Sequence, residues 1–349
     1  MDFKQHVAQK SQNPYVLNRP IYAELMPNWD GKELKSVQEQ AVVFLSLVAT
    51  LKSQPALDAS LETKAVTLLK YLSYLNPSTV DAFLRSFAAD PDDLLTDFVQ
   101  SIGVLISSPN RAIAKATMEM FNNLFLCCSA KVRLALVKAD VIPQLIMTLN
   151  PQSLSFAEAV DIHTWLIQII ANSVWLSTPS ALRYLEIEDG DEQQAVHETV
   201  LRQVMAPSEQ YIRHLCVNRY SIVDGDQSKL FLELFANLLQ ISPYYQPTMN
   251  FVVNMPVVFT IPSCLTLFGH EKTIWSFLTS MVNAQREWNK TRGEERQMGK
   301  TVHVMLEMEG IEDVIEEKLQ NDANIFGRWI VDKSIEWNNL QGMNLPERE

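Results

Sequence analysis

Residues 116–149 hold three apolar segments at helical spacing, separated by short breaks. Apolar residues that recur every three or four positions indicate helices, and Asp140 and Pro143 mark the break between the second segment and the third. The stretch therefore predicts a helix, a turn and two further helices. Two or three helices of this size cannot bury their apolar sides alone, so we expect neighbouring units to stack on them.

The composition favours helices along the whole chain. It is 47% hydrophobic over 349 residues, with ten glycines, thirteen methionines and few alternating β-branched runs. This predicts an all-α fold with a large core and almost no sheet. The short β-prone run at residues 257–259 has no second strand with which to pair, so we assign it to a loop or a helix end.

Charge and cysteine content limit the classes of partner. The formal charge is −12 and the isoelectric point is about 5.1, which disfavours nucleic acid and anionic membrane surfaces as default partners. Cys127, Cys128, Cys216 and Cys264 form neither a disulfide framework nor a metal-ligand spacing, so a reducing compartment fits best. The first residues scatter charges where a secretion signal needs an apolar core. We expect a cytoplasmic protein, with the nucleus as an alternative, and no membrane insertion.

The predicted organisation is an irregular N-terminal extension, residues 1–35, followed by one helical repeat domain, residues 36–349. Ser36 with Glu39, Ser78 with Asp81 and Ser155 with Glu158 each have the spacing of a capping box and so predict three helix starts. Residues 186–192, EIEDGDE, place five acidic side chains in a predicted exposed insertion. This insertion is either a mobile contact loop or an inert one.

The helix around Asn123 has imperfect copies elsewhere in the chain. They are centred on Tyr71, Asn172, Asn237 and Ser280, which gives intervals of 52, 49, 65 and 43 residues, and the longest interval contains the acidic insertion. Periods of roughly 40 to 47 residues with two or three helices each are typical of armadillo and HEAT solenoids. The period thus indicates stacked helical repeats.

The sequence FNNLF followed by VKADVIPQLIMTL resembles the armadillo repeat, and GIEDVIEEKL at residues 310–319 resembles its second half. Asp140 stands where armadillo repeats usually have glycine. The resemblance covers about residues 60–320 and implies a right-handed α-solenoid of about five to six degenerate units. The positions that match are Asn123, Leu124, Ile142, Pro143, Leu145 and Leu149.

In the armadillo family, asparagines on the third helix of each repeat line the concave side and bind the backbone of an extended peptide. By position, the resemblance assigns this role to Asn123, Asn172 and Asn237. Importins that bind peptides have a tryptophan four residues before each such asparagine, whereas this chain has Glu119, Gln168 and Glu233 at the corresponding positions. The asparagines either contact a ligand or bond a neighbouring helix.

Two further groups of residues are candidates for binding. Trp165 and Trp175 fall on the same side of a helix as Asn172, where they either line a groove or pack in the core. Glu119 and Glu233 beside the asparagines predict an acidic groove that suits a basic peptide. A cluster of basic residues either contacts an acidic or phosphorylated partner or forms a solvated corner between helices. Its members are Arg286, Lys290, Arg292, Arg296 and Lys300.

The chain carries no recognisable catalytic or cofactor motif. It has no GxGxxG, no P-loop and no GxSxG, and Leu201 stands where the second histidine of a zinc protease would follow His197. We therefore expect no enzymatic activity, no cofactor and no bound metal. The expected function is a protein-protein interaction scaffold or adaptor that binds a protein or peptide segment on the concave side. The alternative is a regulatory subunit of a larger assembly, of the phosphatase or trafficking type.

Overall fold

A computed structural model shows an all-α protein, in agreement with the fold class predicted from the sequence. The residues that it describes are 29, 34–88, 95–151, 154, 159–217, 225–241, 245, 247, 248, 273, 277 and 280. Every regular element within these ranges is helical. None of these helices combines the length and the hydropathy that crossing a bilayer requires. The run at residues 257–259 lies outside the described residues.

The helices are short to medium in length and are joined by brief connections. One π-helical turn, Leu201–Met205, follows the tenth helix directly. The helices are α1 Val37–Ser53, α2 Ala59–Ser73, α3 Pro77–Arg85, α4 Thr96–Ile106, α5 Arg111–Cys127, α6 Ala130–Lys138, α7 Val141–Leu149, α8 Val160–Trp175, α9 Pro179–Tyr184, α10 Gly190–Val200, α11 Ala206–Val217 and α12 Gly225–Ile241.

Side-chain caps begin most of these helices. The capping box of Ser36 and Glu39 is confirmed, because each side chain bonds the other residue's backbone amide at the start of α1. The predicted box of Ser78 with Asp81 is wrong. Asn76 caps α3 instead, with Pro77 as its first residue, and the Asp81 carboxylate accepts a hydrogen bond from the backbone amide of Ser129 at 2.8 Å.

The third predicted box, formed by Ser155 and Glu158, lies outside the described residues. Helix α8 begins at Val160, and its N-cap residue is Ala159, whose side chain makes no capping bond.

Asp140 adopts the left-handed conformation, with φ 63° and ψ 30°, between α6 and α7. Glycine reaches this region without strain, whereas a residue with a β-carbon is strained there, and aspartate tolerates it better than most. This conformation gives a physical reason for the glycine that armadillo repeats usually have at the matching position. The sharp turn redirects the chain so that α7 begins at Val141.

The chain divides into two compact units. The first comprises the described residues of Met1–Leu154, Asp161–Ile169 and Arg202–Ser208. The second comprises those of Ser155–Val160, Ile170–Leu201 and Glu209–Glu349. The predicted single domain of residues 36–349 stays a prediction.

Helices of the first unit pack in steps of three along the chain. Helix α1 packs against α4, α2 against α5, α3 against α6, and α4 against α7. Sequential neighbours such as α4 and α5, or α6 and α7, also pack together. Each helix from α1 to α4 therefore contacts the helix that follows three places later.

Phenylalanines form the centre of the first unit. Phe44 of α1, Phe83 of α3 and Phe98 of α4 are fully buried, and Phe87 just after α3 is 4% exposed. The ring centroids of Phe87 and Phe98 lie 5.1 Å apart, and those of Phe44 and Phe98 lie 5.6 Å apart. These are typical distances for favourable aromatic pairs, so the cluster holds three helices together.

Arg133 of α6 closes the C-terminal end of α5. Its guanidinium donates to the carbonyl oxygens of Phe125 and Leu126, both at 3.1 Å, and to that of Cys128 at 3.4 Å. It also lies 5.4 Å from the centre of the Phe125 ring. The last carbonyls of a helix have no partner within the helix, so a buried cation at this place is favourable.

The segment before α1 packs on the first unit. Trp29 is 2% exposed and Leu34 is 4% exposed. The hydroxyl of Tyr71 donates to the Leu34 carbonyl at 2.9 Å, and the Gln40 side chain donates to the same oxygen at 3.2 Å. The rest of the predicted extension, residues 1–28 and 30–33, lies outside the described residues.

The core of the second unit contains aromatic and polar side chains. The Phe231 and Phe235 rings of α12 lie 4.7 Å apart. Nδ1 of His197 shares a short hydrogen bond with the buried Ser177 hydroxyl, and the His197 ring stacks on Tyr245 with centroids 5.4 Å apart. Burial lowers the pKa of His197, so the imidazole remains neutral near pH 7.

Candidate functional site

Helix α5 is mostly buried and exposes a narrow polar strip. Lys115, Glu119 and Asn123 follow one another at intervals of four residues, which places them on one side of the helix. Lys115 is exposed, and Glu119 and Asn123 are half-buried. Met118 and Met120, on either side of Glu119 in sequence, are fully buried. We call Lys115, Glu119 and Asn123 the α5 strip.

Helix α12 repeats the same three residue types at the same spacing. Lys229, Glu233 and Asn237 are all half-buried, while Phe231 and Leu238 are fully buried. We call Lys229, Glu233 and Asn237 the α12 strip. The two glutamates and the two asparagines were candidates from the sequence, but the two lysines were not. Their signal is the shared Lys-Glu-Asn spacing, which becomes visible when the two helices are aligned.

The asparagine of the α5 strip bonds a neighbouring helix. Nδ2 of Asn123 donates to the hydroxyl oxygen of Ser73 on α2 at 2.6 Å, which spans 50 residues of sequence. Within the described ranges, no protein donor bonds the amide oxygen of Asn123. The amide nitrogen of Asn123 therefore bonds a neighbouring helix, which was one of the two predicted roles. The amide oxygen remains free to accept a hydrogen bond from a ligand, which was the other.

The asparagine of the α12 strip also bonds a neighbouring helix. Nδ2 of Asn237 donates to the carbonyl oxygen of Ala171 on α8 at 3.0 Å. One turn later, the Gln240 side chain donates to the Ser280 hydroxyl at 3.1 Å. Ala171 and Ser280 lie in the segments that the sequence aligned with Asn123. The polar bonds in the second unit thus also join helices that carry copies of one segment.

A buried amide pair connects α5 to the first half of α8. Nδ2 of Asn122, 3% exposed, donates to Oε1 of Gln168 at 3.2 Å. The other amide atom of Asn122, Oδ1, is buried and has no hydrogen-bond partner among the described residues. In the sequence, Gln168 stood out only because importins have a tryptophan at the corresponding position, and Asn122 was not a candidate. Their pairing depends on how α5 and α8 pack, which the sequence does not show.

The charges of the α5 strip are distributed unevenly. Nζ of Lys115 lies 2.5 Å from the Asp161 carboxylate at the start of α8. Glu119 has no ion-pair partner among the described residues. In the α12 strip, by contrast, Nζ of Lys229 lies 3.9 Å from Glu233 itself. The α5 strip therefore presents an uncompensated carboxylate beside an amide oxygen.

The two candidate tryptophans are neither fully buried nor fully exposed. Trp165, Asn172 and Trp175 on α8 are all half-buried, so each is packed on one side and accessible on the other. Trp165 belongs to the first unit, and Asn172 and Trp175 belong to the second. The basic cluster at Arg286, Lys290, Arg292, Arg296 and Lys300 lies outside the described residues.

Half of the predicted acidic insertion belongs to a helix. Asp189 caps α10 by accepting hydrogen bonds from the backbone amides of Asp191 and Glu192, at 2.8 and 3.2 Å. Asp191 and Glu192 occupy the first turn of that helix, where negative charge is favourable. Glu186 and Glu188 precede the cap, and all five acidic side chains are exposed.

The described residues contain no group of three or more histidine, cysteine, aspartate or glutamate side chains arranged to hold a metal ion. Burial raises the pKa of Cys128 to about 12, so this thiol stays protonated. Ser177 and His197 are 1% and 6% exposed, so their hydrogen bond lies within the core. The accessible polar groups with candidate roles are therefore those of the two strips and of the acidic segment.

Comparison with known proteins returns no matching family model and no matching curated protein.

Proposed function

We propose that this protein is an armadillo-like α-solenoid that binds an extended protein segment on its concave side. It acts as a scaffold or adaptor in the cytoplasm and has no catalytic role. The observation that carries the proposal is the packing of the first unit in steps of three helices, since a repeat of three helices produces this pattern.

The polar strips supply the chemistry of such a surface. An amide offers both a donor and an acceptor to a peptide backbone, and a carboxylate accepts from amides and cations. The recurrence of lysine, glutamate and asparagine at one spacing on α5 and on α12 supports a similar binding role for each strip. Glu119 and Glu233 favour a basic segment as this ligand.

The test is selection of binders from a displayed library of random 12-residue peptides on the full chain, followed by fluorescence anisotropy with a selected peptide. Alanine at the asparagines would also remove contacts between helices, so charge reversal at the carboxylates is the cleaner change. We expect Glu119→Lys and Glu233→Lys together to weaken binding of a selected basic peptide by about 100-fold.

Glu62→Lys on α2 is the control, because it makes the same kind of charge reversal at one site about 16 Å along the helix from Ser73. This control is expected to change affinity less than threefold. Failure to select any peptide would contradict the proposal, as would equal effects of the strip variant and the control.

A second candidate function, a regulatory subunit of a larger assembly, is favoured by the acidic segment. Its five carboxylates are exposed, and Tyr184, two residues before it, is 68% exposed. An exposed aromatic beside a charged segment is a common feature of protein interfaces. Replacing Glu186, Glu188 and Asp191 by their amides, which leaves the Asp189 cap in place, tests this role. Retention of all co-purifying subunits after this change would contradict it.

A further inference from the structure

We infer that Glu119 and the amide oxygen of Asn123 in the α5 strip select an arginine side chain of the bound segment, because the hydrogen bond to Ser73 turns the amide nitrogen of Asn123 toward α2. This inference rests on the proposed function and adds to it the identity of the recognised group.

The orientation of the Asn123 amide follows from its hydrogen bond. Its nitrogen donates to the Ser73 hydroxyl at 2.6 Å, so the nitrogen faces α2 and the oxygen faces away from that contact. Ser73 is 6% exposed and sits in the last turn of α2, where packing fixes its position. The amide oxygen of Asn123, an acceptor, is therefore the atom left without a protein partner within the described ranges.

Glu119 adds two more acceptor atoms on the same side of the helix. It lies one turn before Asn123, a spacing that places the two β-carbons about 5–6 Å apart. The only lysine of the strip pairs with Asp161 at 2.5 Å, so Glu119 keeps its negative charge uncompensated within the described part of the chain. A ligand group at this place must be positively charged and rich in donors.

Arginine meets these requirements better than lysine does. The guanidinium is planar and has five N–H donors in a rigid fork, which reach two acceptors at once, whereas an ammonium is a point charge. An ammonium group is also more strongly hydrated than a guanidinium group, so it loses more hydration when it binds.

The experiment uses the full chain and peptides selected from the random 12-residue library. We expect selected peptides to share one arginine whose replacement by lysine weakens binding at least fivefold and whose replacement by citrulline weakens it at least tenfold. Neither comparison requires a protein variant. Glu119→Gln is expected to remove the preference for arginine over citrulline, and Glu62→Gln is expected to keep it.

Variants at the other two residues test the orientation argument. Asn123→Asp keeps two acceptors and is expected to bind the arginine peptide at least as tightly as the natural chain, while Asn123→Ala weakens it about tenfold. Ser73→Ala frees the amide to rotate and is expected to lower the arginine-to-lysine ratio with a smaller loss of affinity. Circular dichroism melts check that each variant is folded.

Two outcomes separate this inference from the proposed function. Selected peptides that bind equally well with lysine, or that are insensitive to Glu119→Gln, would overturn the arginine site and leave the peptide-binding function standing. Failure to select any peptide would overturn both.

Discussion

The side-chain amide of Asn237 donates a hydrogen bond to the backbone carbonyl of Ala171, 3.0 Å away and 66 residues earlier in the chain. Asn123 makes the equivalent contact with Ser73, 50 residues earlier. In both cases the acceptor belongs to a helix that carries an earlier copy of the same segment. The asparagines that a motif assigns to ligand binding thus already bond neighbouring helices, α5 to α2 and α12 to α8.

Asn237→Ala is therefore expected to lower the free energy of unfolding by about 1 kcal/mol, because one hydrogen bond between helices is lost at a half-buried site. Urea denaturation measures the change. Gln194→Ala is the matched control, since its amide bonds only the exposed Glu198 on the same helix. If the two variants have the same midpoint, the contact between α12 and α8 does not stabilise the protein.

The start of α1 could be predicted because its cause is local: the cap needs only Ser36 and Glu39. The box of Ser78 with Asp81 failed because Asn76 offers a competing cap and Pro77 already fits the first helical position. Asp81 was then free to bond Ser129, 48 residues away.

Side-chain contacts between helices could not be predicted from the sequence alone. The partners of Asn122 and Asn123 are Gln168 and Ser73, and nothing in their local sequence indicates this. Such pairs depend on the rotation and offset of packed helices, which follow from the whole core. The shared Lys-Glu-Asn spacing of the two strips was visible in the sequence, whereas the pairing of Lys115 with Asp161 was not.

Asp140 offers a test of backbone strain. Its φ of 63° is unfavourable for a residue with a β-carbon, and its side chain makes no capping bond to α7. We expect Asp140→Gly to raise the free energy of unfolding by about 0.5–1 kcal/mol and Asp140→Ala to lower it by about 1 kcal/mol. Thermal melts followed by circular dichroism give both values.

The neighbouring residue provides the control for this pair. Ala139 has φ −83°, so Ala139→Gly gains no relief of strain and is expected to destabilise the protein. If Asp140→Gly also lowers the melting temperature, strain at Asp140 does not limit stability.

Replacement of Arg133 is expected to lower the free energy of unfolding more than most other substitutions do. Arg133→Met keeps much of the side-chain volume but leaves the carbonyls of Phe125, Leu126 and Cys128 without their buried donor. The expected loss is about 2–4 kcal/mol in the free energy of unfolding, measured by urea denaturation. Arg133→Lys keeps the charge but loses the planar set of guanidinium donors. Its free energy of unfolding should therefore lie between those of Arg133→Met and the natural protein. Equal stability of the lysine variant and the natural protein would show that charge alone is sufficient.

His197 should make stability depend on pH in the weakly acidic range. Burial lowers its pKa in the folded protein below the ordinary value of 6.5, so the unfolded chain binds a proton more readily. Because stability rises with pH wherever the unfolded state binds more protons, the contribution of His197 is complete above about pH 6.5. It decreases as the pH falls from there toward the lowered pKa. Urea midpoints between pH 5 and pH 8 should show this slope, and His197→Gln should reduce it because glutamine does not titrate. An identical slope in both proteins would show that other groups cause it.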